Sequence, residues 1–227
     1  MRQVVCWLSL GFALACCAPI SGQMLMVNRG LSAGAAGMPL GKTTAEGFIG
    51  DHFQIGGRGE VWIIDTIRTW AVVEKSNASQ ASLAELFEKA TLFGGIEAVP
   101  PEPGRPPQPE CDCHNLMIIK SAGLSMARSG SDVFVSSLGG GVWQVDFRNL
   151  HWSVPGGVAI QFGVMGVARY GNDSWYSHAA AVGGSHELKA FDEKGKLIGP
   201  YMPEGAPADS KIGLNVQVWA YKTASVQ

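Results

Sequence analysis

The densest grouping of reactive side chains is Cys111-Asp112-Cys113-His114. Thiolate and imidazole together suit zinc or copper. A full tetrahedral site needs ligands from elsewhere in the chain, with His178 or His186 available, and no second cysteine pair supplies the usual structural-zinc spacing. The expected state of Cys111 and Cys113 is therefore a small loop disulfide or two free thiols, with a metal site as the alternative. A pair separated by one residue bridges poorly, because disulfides want Cα atoms about 4.4–6.8 Å apart.

A second grouping runs from Trp175-Tyr176-Ser177-His178 to Ser185-His186-Glu187. It holds a hydroxyl, imidazoles and a carboxylate, the side chains of a Ser/His/Glu hydrolase, in Ser177, His178, His186 and Glu187. Such a site is defined by geometry rather than spacing. No Gly-x-Ser-x-Gly elbow occurs; Gly123-Leu124-Ser125-Met126-Ala127 comes nearest and lacks the second glycine. The flanking glycines and asparagine predict a loop. In that setting Trp175 and Tyr176 form an exposed aromatic platform, with Asn172, Asp173 and His178 as polar partners for a sugar-like ligand. The paired carboxylates of a glycosidase do not stand out among Asp51, Asp65, Asp146 and Asp173. Asp51 and Asp146 lie in strand-like runs, where they bond backbone groups or hold a structural Ca²⁺.

The elements that must position these groups are strands. Residues 142–147 (Val-Trp-Gln-Val-Asp-Phe), 150–157 and 214–219 alternate apolar and polar between glycine clusters, the period of half-buried antiparallel strands. Residues 61–73 give the strongest strand signal, β-branched and aromatic throughout, and their length predicts a bend or bulge near Asp65. Further strands are expected at 24–27 (an edge), 48–55, 116–120, 132–136, 158–169, 188–191, 196–198 and 212–221. One short helix is expected at 82–90. There Leu83, Leu86, Phe87 and Ala90 share a helical face, and Ser82 with Glu85 completes a capping box. Residues 99–110 form a proline-rich loop with polyproline II character. Trp62, Trp70, Trp143 and Trp219 sit in alternating strands and are assigned to the core.

Residues 1–22 read as a secretory leader: Arg2, then an apolar stretch too short to span a bilayer, then Ala13-Leu14-Ala15. Cys16 or Cys17 makes N-terminal lipidation an alternative. The expected location is therefore extracellular or periplasmic, and residues 23–227 form one domain. Hydrophobic residues make up 46%, enough for a core, and charged residues only 16%, as in turn-rich extracellular β proteins. A net charge of −2 gives no electrostatic footprint for nucleic acid.

Several runs resemble secreted bacterial β-sandwich domains of the PEP-CTERM and choice-of-anchor type. They are Gly50-Asp51-His52-Phe53, Ile64-Asp65-Thr66-Ile67-Arg68-Thr69-Trp70, Val145-Asp146-Phe147 through Trp152 to Gly156-Gly157, and Leu214-Asn215-Val216-Gln217-Val218-Trp219. The resemblance implies a jelly-roll-like sandwich displayed outside the cell, with no assigned biochemistry. The end at Ala224-Ser225-Val226-Gln227 shows no anchor helix, so free secretion or an N-terminal lipid is expected. The reading is an all-β antiparallel β-sandwich with one short helix. Its expected role is non-catalytic, a binding module for polysaccharide or another surface component, needing no cofactor. A secreted hydrolase at 175–187, or a metal-binding protein holding zinc or calcium, is the alternative.

Overall fold

A computed structural model describes residues 22–31, 38–43, 47–73, 82–97, 115–126, 132–169, 174–181, 187–203 and 212–223. The leader, the proline-rich loop and the Cys111-to-His114 cluster lie outside the described residues, as do Asn172, Asp173 and His186. In chain order the elements are β1 (Met24–Arg29), β2 (Met38–Thr43), β3 (Phe48–Gln54), β4 (Val61–Val73), α1 (Leu83–Leu86), β5 (Phe87–Ile96), β6 (Met117–Gly123), β7 (Ser125–Met126) and β8 (Val133–Gly139). There follow β9 (Val142–Phe147), β10 (Trp152–Pro155), β11 (Ala159–Ala168), β12 (Trp175–Ala181), β13 (Leu188–Phe191), β14 (Leu197–Tyr201), β15 (Ile212–Leu214) and β16 (Val216–Lys222). The fold is all-β and sandwich-like. All strand pairs are antiparallel except the short β7–β8 contact.

One sheet runs β1-β16-β4-β9-β8-β7, with β10, β12, β15 and β2 attached. The other runs β14-β13-β3-β11-β5-β6. Alternation turns Ile64, Ile67, Val145, Phe147, Val216 and Val218 of the first sheet inward. They meet Phe53, Leu92, Ile160, Phe162 and Val164 of the second, and these facing rows form the main core. The expected irregularity in β4 is present. Ile64 pairs with Ala220 and Thr66 with Trp219, leaving Asp65 as the extra residue, and its carbonyl accepts Leu150 N–H at 3.0 Å.

The six-stranded sheet curls so strongly that the start of β6 returns to the β13–β14 turn, where Leu116 N–H donates to Gly195 O at 2.7 Å. Its concave face encloses a second small core of Phe48, Phe93, Leu116 and Phe191. Phe48 stacks on Phe93 at 4.4 Å and on Phe191 at 5.4 Å. The rings lie flat because Gly50 and Gly163 face each other across β3 and β11. A Cβ on Gly163 would lie 2.4 Å from the Phe48 ring, and one on Gly50 2.7 Å from Phe191.

Three expectations are corrected. The helix ends at Leu86 rather than 90, although the Glu85 carboxylate does accept Ser82 N–H at 2.7 Å. Phe87 opens β5, and a register shift against Val167 and Ala168 leaves Glu88 unpaired. That bulge puts Phe87 and Ala90 on one core-facing side of a strand, which mimics helical spacing. Residues 38–43 form β2, where the sequence reading placed no strand. The stretch 171–187, expected as a loop, contains β12. Its small, polar residues take strand form because β2, β4 and β15 supply partners on both sides.

Candidate functional site

Two polar systems emerge, one buried and one on a surface. The buried one gathers where β16 gives way to β15. On one side of this junction β12 pairs with β4 through Ser177, and on the other with β15 from Ala179. His178 and Asn215 occupy the two breaks. Asn215 N–H donates to His178 O at 3.0 Å, and His178 Nδ1 lies 2.7 Å from Asn215 Oδ1. Asn215 Nδ2 donates to Arg29 O and Gly30 O, so Oδ1 is its acceptor and His178 Nδ1 carries the proton.

One residue away, Asp51 of the curled sheet is fully buried. Its Oδ2 accepts from Arg29 Nη1 at 2.7 Å and from Leu214 N–H at 2.8 Å, and its Oδ1 from His52 N–H. Arg29 Nη2 also donates to His52 O at 2.9 Å. Asp51 thus bonds backbone groups, one of its two expected uses, and ties the sheets together.

This arrangement places the expected site residues. Trp175, assigned to an exposed loop platform, is 1% exposed in β12. Its ring meets Phe87 edge-on at 5.2 Å and lies over Gly166, where a Cβ would approach it to 2.3 Å. It is a core residue and offers no face to a ligand; Tyr176 beside it is half-buried. Ser177 and His178 are buried neighbours on one strand, so their side chains leave opposite faces. His178 engages Asn215 rather than Ser177, and Glu187 is exposed beyond the strand. Among the described residues Ser177, His178 and Glu187 are not brought into a catalytic array, and no group of three His, Cys, Asp or Glu side chains could hold a metal ion.

The surface system lies on the outer face of the ten-stranded sheet. Asn28 of β1 pairs with Gln217 of β16, Gln217 with Arg68 of β4, Arg68 with Asp146 of β9, and Asp146 with Phe134 of β8. Directly opposed residues share a face, so these five form one row across five strands. Hydrogen bonds join most of it. Gln217 Nε2 donates to Asn28 Oδ1 at 2.8 Å, and Arg68 Nη1 to Gln217 Oε1 at 3.4 Å. Arg68 grips Asp146 with Nε at 2.6 Å and Nη2 at 2.9 Å, the bidentate geometry peculiar to arginine. Arg148 Nη2 donates to Asp146 Oδ2 at 3.0 Å, and its guanidinium lies 4.2 Å over Phe134. Trp219, in the adjacent row, has the Arg68 guanidinium 5.0 Å above its ring.

Burial alone pushes the Asp146 carboxyl up, but the hydrogen bonds and charges of Arg68 and Arg148 outweigh it and hold it below the usual carboxylate range. The same hydrogen bond raises Arg68. A carboxyl lowered in the folded state adds stability above its unfolded pKa of about 3.9, and that stability is lost as pH falls through the folded value. Melting temperature is therefore expected to fall with acid below about pH 4. Asp146→Asn is expected to flatten that acid limb, read by thermal scans across pH. An unchanged limb in the variant would show that the Asp146 pair contributes nothing there.

The tryptophan assignments thus exchange places. Trp62, Trp70 and Trp143 are buried as expected, but Trp219 is half-buried on the outer face while Trp175 is core. The phase of Trp219 was written in its neighbours: Val216, Val218 and Ala220 alternate with Gln217, Trp219 and Tyr221. No signal in the sequence marks the row as a unit, because it joins residues from four separate stretches.

Comparison with family models, with curated proteins and with solved structures finds no match for this chain. Among the described residues no helix is long and apolar enough to cross a membrane.

Proposed function

We propose that the protein is a secreted, non-catalytic binding module that holds polysaccharide on the outer face of its ten-stranded sheet. The observation that carries the reading is the hydrogen-bonded row Asn28–Gln217–Arg68–Asp146 with Trp219 beside it. Sugars present flat apolar faces ringed by hydroxyls. The uncovered part of the half-buried Trp219 indole takes the first, and amide and guanidinium groups take the second. The polar groups are already tethered to one another, so little side-chain entropy is lost when a ligand arrives. Asp146 is a positioning residue here, since it lies beneath the two guanidiniums and orients them. The platform expected at Trp175 is thereby replaced by one at Trp219. The leader-like N-terminus and low charge agree with a role outside the cell.

Trp219→Ala removes the apolar part of this surface without opening the core. Retention on an insoluble polysaccharide is expected to fall about tenfold, a loss of one stacking contact worth about 1.4 kcal/mol. Equal retention of wild type and variant in a pull-down with a folded sample rejects the assignment of this face.

A further inference from the structure

Gln161 of β11 is 2% exposed, and neither its Nε2 nor its Oε1 meets a hydrogen-bonding partner among the described residues. Ile160, Phe162 and Val164 point into the main core, so alternation turns Gln161 to the concave face of the curled sheet, as it does Gly163. Directly opposite it stand His52 on β3 and Gly95 on β5. Leu116 packs over Gly95 and Phe48 over Gly163, so the small core bounds the amide with apolar groups. The Lys189 ammonium of β13 bonds the Glu97 carboxylate just past the end of β5. Strands β3 and β11 lie between these two, so the ion pair bridges the concave face. Lys189 is level with Gly50 and Gly163, and Glu97 with Ala159, so the bridge spans the level of Gln161.

An amide taken from water with neither end paired is costly, and methionine, of similar size, would fill the same place without that cost. A ligand that meets both atoms accounts for a glutamine here. We infer that Gln161 is the recognition group of a second binding site, inside the curled sheet, for a small neutral ligand with a cis-amide edge: a lactam, an imide or a primary amide. Such a group presents N–H and C=O side by side, and these match Gln161 Oε1 and Nε2 in a ring of two hydrogen bonds. A trans peptide presents them on opposite sides and meets only one. The neutral class follows from the surroundings. Lys189 and Glu97 already neutralise each other, so a charged ligand would enter the apolar interior without a counter-ion. This site lies on the other sheet from the Trp219 face, and a failure of glycan binding at that face leaves it standing.

Amide NMR of the full chain during titration with pyrrolidone, a minimal lactam, tests this, with N-methylpyrrolidone as the control that lacks the donor. Pyrrolidone is expected to bind in the millimolar range, as suits a ligand of so few atoms, and to shift the Gln161 side-chain amide together with the backbone amides of His52 and Gly95. The N-methyl control is expected to bind about tenfold more weakly or worse, because it leaves Gln161 Oε1 unmet. Gln161→Met is expected to melt at or above the wild-type temperature and to weaken pyrrolidone binding about tenfold or more. No shift of the Gln161, His52 and Gly95 signals, equal binding of the two lactams, or undiminished binding by folded Gln161→Met overturns the site. Where the variant does not fold, the two lactams on wild type still decide.

Discussion

Asp51→Ala is expected to destabilise the fold by about 3–5 kcal/mol, the cost of removing one partner from a buried ion pair. The carboxylate has no exposed surface, and the Arg29 guanidinium against it is almost as enclosed. Without Asp51 a cation stays in the interior, and the Leu214 N–H, held at 2.8 Å in the native protein, loses its acceptor. Both losses fall on the junction where β1, β12, β15 and β16 meet, so they add to a local failure of sheet pairing. Total stabilities of about 5–15 kcal/mol make such a loss comparable to the whole margin. Denaturant melts of wild type, Asp51→Ala and Arg29→Met measure it. Arg29→Met combined with Asp51→Leu removes both charges and is expected to recover much of the deficit, because apolar replacement of a buried pair is often near neutral. A single variant as stable as wild type would show that the pair ties nothing together.

Trp175→Ala is expected to cost a similar amount, about 3–5 kcal/mol, as for other large aromatic truncations in a core. The ring fills the space above Gly166 and meets Phe87 edge-on, so its removal leaves a cavity lined by rigid strands that cannot collapse into it. The converse change, Gly166→Ala, drives a methyl group into the same ring and is expected to cost about 1–3 kcal/mol. Thermal melts of the two variants check this. Their loss of any ligand binding should track their loss of fold, whereas that of Trp219→Ala should not. A Trp175→Ala protein that melts like wild type would return that ring to the surface.

What could be read from the residues, and what could not, divides along a physical line. Strand β4 and the bulge at Asp65 were legible because thirteen residues of β-branched and aromatic side chains hold a period that one extra residue must break. The division at Asn215 was not, since Gly213-Leu214-Asn215-Val216 continues an alternation that only the handover between β4 and β12 interrupts. Strand β12 was hidden for a related reason. Its Ser, His and Ala side chains have little strand preference, and its conformation comes from the neighbours it pairs with. The mistaken helical end at Phe87 and Ala90 arose because a bulge and a helix turn both bring residues three apart to one face. The row on the outer face takes one residue from each of five strands, and only the register of those strands brings the five together.

The central claim is that the outer face of the ten-stranded sheet binds polysaccharide, and titration of one ligand series onto wild type, Arg68→Ala and Trp219→Ala tests it most directly. With the same far-ultraviolet dichroism for all three proteins, binding by wild type and about a tenfold or greater loss in each variant is the predicted result. Wild-type affinity retained in both folded variants would contradict it.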